Sequence, residues 1–64
     1  MVKINGIEEN ADGMTVSEYL DNSEFDKRII VVELNGEIIP KSKYAETVLK
    51  DGDCVEVVSF VGGG

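Results

Sequence analysis

The chain has 64 residues, enough for one small domain and no second one. Thirteen acidic residues against six basic ones give a net charge of −7, which repels phosphate backbones and anionic lipid and so sets aside nucleic acid and membrane surfaces as expected partners. There is no histidine, and a domain this short buries only about 60% of the surface its unfolded form exposes, which sets aside an enclosed catalytic site and a self-contained enzyme.

The elements follow in chain order. "VKINGIEEN" sets Asn5-Gly6 between Val2–Ile4 and Ile7–Glu9, and this dipeptide accepts the positive φ angles of a two-residue hairpin turn. "TVSEYLDN" places Thr15 three residues ahead of Glu18, the spacing of a capping box, with Val16, Tyr19 and Leu20 on one helical stripe. About two turns of helix are available there, so packing rather than propensity must hold it. "RIIVVELNGEIIP" reads as a second hairpin turning at Asn35-Gly36 and closed by Pro40, which has no N–H to give to a ladder. "KSKYAETVLK" is expected to make a short helical turn with Tyr44, Val48 and Leu49 inward; "KDGD" turns again, and "CVEVVSFV" is a last strand.

One helix on a sheet of about five strands defines an α+β domain, and the right-handed crossover favours a later strand parallel to the first. The expected fold is a mixed β-grasp, or ubiquitin-like, sheet over residues 1–61. Residues 62–64 are expected to form a flexible glycine tail. Ile4, Leu20, Ile30, Val32, Leu34, Leu49, Val55 and Val57 are the expected core. The core is adequate, because Val, Ile, Leu and Phe supply 20 of the 64 residues, above the roughly 20% below which chains stay disordered.

Alternation along the last strand puts Val55 and Val57 on one face and Cys54, Glu56, Val58 and Phe60 on the other. Glu56 belongs outside, and Glu33 likewise sends Ile29 and Val31 outward from their strand. Ile29, Val31, Val58 and Phe60 are therefore the expected partner-docking patch on the face away from the helix. Cys54 is a single thiol, so no internal disulfide forms, and its acidic neighbours Asp53 and Glu56 are not the surroundings of a reactive cysteine. Asp51 and Asp53 read as turn residues, and no metal site is expected. With "IIVV" the longest apolar run, there is no segment to span a bilayer and no signal-peptide core, so a cytoplasmic protein is expected.

"LNGEIIPKSKYAETVLKDGDCVEVVSFVGGG" resembles the second half of a ThiS-type sulfur carrier, through the NG turn, the closing proline, the "YAETVLKDGD" segment and the apolar strand entering a glycine end. "VKINGIEEN" and "MTVSEYL" agree more loosely with the first half. The resemblance implies a carrier that does no catalysis and binds no cofactor. A ThiF-type adenylating enzyme, using ATP and magnesium, would activate the Gly64 carboxyl, with Gly62 and Gly63 threading the partner's channel. A sulfur donor such as a cysteine desulfurase would then yield a thiocarboxylate, delivered to a ThiG-type thiazole synthase in thiamine biosynthesis. The glycines suit that task, since a missing Cβ lets backbone pass a narrow channel and the extended span from Phe60 to Gly64 is about 13 Å. Two other kinds of protein share such an end: the small subunit of molybdopterin synthase, and a ubiquitin-like modifier conjugated to targets through Gly64.

Overall fold

Two asparagine–glycine turns organise the sheet. In a computed structural model describing residues 1–60, Asn5 and Asn35 adopt φ of 50° and 52°, and the glycines after them adopt 83° and 88°. Asparagine and glycine tolerate this left-handed region where β-branched neighbours do not. Each turn closes an antiparallel pair: β1 (Val2–Ile4) with β2 (Ile7–Glu9), and β3 (Ile30–Leu34) with β4 (Glu37–Ile39). The last strand, β5 (Cys54–Ser59), lies between the hairpins, parallel to β1 and antiparallel to β3, in the order β2-β1-β5-β3-β4.

The helix, α1 (Val16–Asp21), crosses one face of this sheet. Its capping box forms as the sequence predicts: the Glu18 N–H donates to the Thr15 hydroxyl at 3.1 Å, and the Thr15 N–H donates to the Glu18 carboxylate at 2.9 Å. Val16 and Leu20 face inward and join Val2, Ile4, Ile30, Val32, Leu49, Val55 and Val57 in the buried core, along with Ala11 and Tyr44. Leu34, expected in the core, is only partly buried and packs against its edge.

The segment after β4 departs from expectation at Val48. A 3₁₀ turn at Lys41–Lys43 leads to buried Tyr44, but the chain then extends instead of continuing as a helix. The Val16 N–H donates to the Thr47 carbonyl at 2.9 Å and the Leu49 N–H to the Met14 carbonyl at 2.8 Å, with Thr15 and Val48 bridged antiparallel. Extended backbone alternates its side chains, so burying Leu49 turns Val48 out, where it is 50% exposed.

Asp53 has a role beyond that of a turn residue. It is 8% exposed; its carboxylate accepts from the Lys50 N–H at 2.9 Å and from the Asn35 amide at 3.1 Å. The Asn35 side chain in turn accepts the Cys54 N–H at 2.9 Å, so one turn residue anchors the start of β5.

Candidate functional site

No described element covers the sheet face opposite α1, and the registers between strands fix its layout. Val31 lies opposite Val58 and Glu33 opposite Glu56, and the Phe60 N–H donates to the Ile29 carbonyl at 2.7 Å, extending the ladder past Ser59. All four expected patch residues therefore sit in two adjacent rows. Ile29 is 40% exposed, Val58 48% and Phe60 57%, while Val31 between them is half-buried.

Ile38 belongs to the same face and was not assigned to it from sequence. It stands opposite Glu33 and is exposed. The signal was present, because a two-residue turn at Asn35-Gly36 forces Leu34 opposite Glu37 and Glu33 opposite Ile38. The face thus runs from an aliphatic and aromatic end at Phe60 to an acidic pair at Glu33 and Glu56. Like charges directly opposed across strands weaken a sheet, so this pair adds nothing to the fold. Beyond it, exposed Cys54 has Lys3 as its neighbour on β1, a basic residue that the linear sequence does not place beside it.

At the Ile29 end a short ion pair borders the patch. The Arg28 side chain donates to both carboxylate oxygens of Asp26, at 3.0 and 2.8 Å, and its backbone N–H donates at 2.9 Å. These bonds, the side-chain ones foremost, lower the Asp26 pKa to about 2. Asp26 also caps the 3₁₀ turn at Lys27–Ile29, which delivers Ile29 to the outer face. On the helix side, Tyr19 and Glu9 line a shallow pocket with Phe25; the Tyr19 hydroxyl donates to the Glu9 carboxylate at 3.2 Å. Burial, with the Glu9 charge second, raises the Tyr19 pKa. No group of three or more metal-ligating side chains occurs among the described residues, and no described helix is long and apolar enough to cross a membrane. Gly62, Gly63 and Gly64, and the expected domain boundary after residue 61, lie outside the described residues.

Among the described residues, a mixed five-stranded sheet folded over one α-helix, with its two hairpins flanking a middle strand parallel to the first, defines a β-grasp domain of the ubiquitin-like kind. Comparison with known proteins narrows the class. The ThiS family model matches residues 2–64. Sulfur carrier protein ThiS of Bacillus subtilis is 39% identical over 66 residues, covering 100% of both chains. A thiazole synthase of Paramagnetospirillum magneticum is 48% identical over 62 residues; the match takes in 95% of this chain but only 19% of that protein's length. The crystal structure of thiamine biosynthesis protein ThiS from Geobacter metallireducens superimposes with a TM-score of 0.80 at 34% identity, covering 98% of this chain and 97% of that one. The chain belongs to the ThiS family.

Proposed function

We propose that this chain carries sulfur on the carboxyl group of Gly64 for thiazole formation in thiamine biosynthesis. The observation that supports this reading best is the extent of the family match, which runs through β5 and the glycines to residue 64. The carrier supplies no acid–base machinery. A carboxylate oxygen of Gly64 attacks the α-phosphorus of ATP on a ThiF-type activating enzyme with magnesium, and pyrophosphate leaves. The acyl-adenylate then has a good leaving group, which free carboxylate lacks, and the persulfide of a donor such as a cysteine desulfurase displaces AMP to give an acyl disulfide. A thiol reductant attacks the donor-side sulfur, so the donor leaves as a mixed disulfide and the second sulfur stays on the Gly64 acyl group with the electron pair. The resulting thiocarboxylate passes its sulfur to a ThiG-type thiazole synthase.

In this reading Ile29, Val31, Val58 and Phe60, extended by Ile38, form the contact that both enzymes grip. An apolar core ringed by charge is the usual anatomy of a transient interface, and Glu33 and Glu56 suit a basic rim on the partner. The test is the intact mass of the chain after incubation with activating enzyme, ATP, magnesium, a sulfur donor and a thiol reductant. The expected product shows exchange of one carboxyl oxygen for sulfur, and adding thiazole synthase with its substrates returns the carboxylate. Isopeptide adducts on other proteins would instead establish a modifier, and sulfur delivery only to a molybdopterin precursor would establish the related pathway.

A further inference from the structure

The β1 side of β5 is paired only along part of its length. The Lys3 N–H donates to the Asp53 carbonyl at 2.9 Å and the Asn5 N–H to the Val55 carbonyl at 2.8 Å, so the odd-numbered residues of this stretch address β1. At Asn5 the backbone turns away, and its side chain takes over. The carboxamide oxygen accepts the Val57 N–H at 2.7 Å and its nitrogen donates to the Val57 carbonyl at 3.2 Å. The next residue in the series is Ser59. It lies opposite Ile30, while the Phe60 N–H points to β3 through its bond to Ile29. Antiparallel ladders alternate, so the N–H and C=O of Ser59 point away from β3, past the end of β1. No bond to either group on that side occurs among the described residues.

We propose that this open edge at Ser59 pairs with an extended strand of thiazole synthase, so that the carrier docks by strand addition as well as by its apolar face. A lone N–H and C=O on exposed extended backbone are satisfied in kind by another strand, which then holds the following residues in a fixed direction. Ser59 stands between Val58 and Phe60, so an enzyme that covers those side chains also reaches this backbone. The choice of thiazole synthase rests on the carrier reading above and on the Paramagnetospirillum relative, in which a segment like this chain is part of a thiazole synthase.

The experiment compares amide exchange at Ser59 in the free full-length chain and in its complex with thiazole synthase, together with the affinities of Ser59→Pro and Ser59→Ala. Proline removes the edge N–H without breaking a β3 bond. Exchange at Ser59 is expected to slow at least about tenfold in the complex, with Ser59→Pro binding about tenfold more weakly and Ser59→Ala binding normally. Normal binding by wild type with Ser59 still unprotected overturns the strand pairing and leaves the carrier reading intact. So does Ser59 protection that appears only with the activating enzyme, or in the free chain as its concentration rises. Failure of the wild type to bind thiazole synthase at all overturns both. If Ser59→Pro does not fold, exchange in the wild type decides.

Discussion

The side chain of Asn5 occupies the ladder position that the backbone of β1 would fill opposite Val57, with its amide accepting the Val57 N–H and donating to the Val57 carbonyl. One residue therefore makes the first turn, through its positive φ, and completes the pairing of the middle strand. Replacing Asn5 with Gly separates the two roles, because glycine keeps the backbone angle and loses both bonds. Asn5→Gly is expected to lower stability by about 1–3 kcal/mol, the cost of leaving part-buried backbone groups unpaired. A urea denaturation midpoint equal to wild type would show that water replaces the amide without penalty.

The core prediction rests on Leu20 and Val32, both fully buried where α1 meets the sheet. Leu20→Ala is expected to cost about 2–5 kcal/mol and Val32→Ala about 1–4 kcal/mol. Domains of this size hold few kcal/mol in reserve, so Leu20→Ala should be substantially unfolded at room temperature. Circular dichroism during chemical denaturation measures both, and unchanged midpoints would contradict the packing of helix on sheet.

Asp26 gives a pH signature of definite sign. Its folded pKa is lowered to about 2 by the Arg28 hydrogen bonds, against about 3.9 in an unfolded chain. A lowered carboxyl pKa stabilises the fold fully above the unfolded value, and that contribution is lost as pH falls through the folded value. Wild type should therefore lose stability more steeply than Asp26→Asn between about pH 4 and pH 2. Both residues are exposed, so the difference is expected to be small and to shrink with added salt. Parallel pH–stability curves would show that the pair is not formed in solution.

The outer face gives a binding prediction without a folding one. Phe60→Asp is expected to leave the denaturation midpoint near wild type, since Phe60 lies outside the core. It should weaken binding to the activating enzyme and to thiazole synthase about tenfold or more, because a charge must then be desolvated in an apolar contact. Calorimetric titration decides it, and unchanged affinity would remove the patch from the interface.

How far the sequence could be read depended on the range of the interaction. The two Asn-Gly turns, the Thr15–Glu18 box and the outward placing of Val58 by Glu56 need only neighbours within a few residues, and all are seen in the structure. Ile38 required one further step of register through the second turn. What stayed hidden was tertiary. The bonds of Asn5 to Val57 and of Asn35 to Asp53 and Cys54 join residues far apart in the chain. The pairing of Val48 with Thr15 replaced a plausible helical turn by extended backbone, and so reversed the facing of Val48. Of the candidate site, the outward facing of Ile29, Val58 and Phe60 was legible by alternation, while nothing local marked Ser59 as an open edge.

The last prediction concerns reach. If Gly64 carries the reacting carboxyl, its distance from the docked face must match the depth of the partner's nucleotide site. Deleting Gly64 moves the terminal carboxyl back by about 3.3 Å in extended chain. A misplacement of about 1 Å already costs catalysis on the order of a hundredfold, so ATP–pyrophosphate exchange by the activating enzyme should fall to background. Adding one residue after Gly64 should overshoot and fail for the same reason. The described core ends with Val57, so both variants are expected to unfold at the wild-type midpoint. They should also compete with wild type for the activating enzyme, because Phe60 and its neighbours are intact. Exchange at the normal rate by the shortened chain would show that the glycines carry no reaction and that the carboxyl of Gly64 is not the sulfur-bearing group.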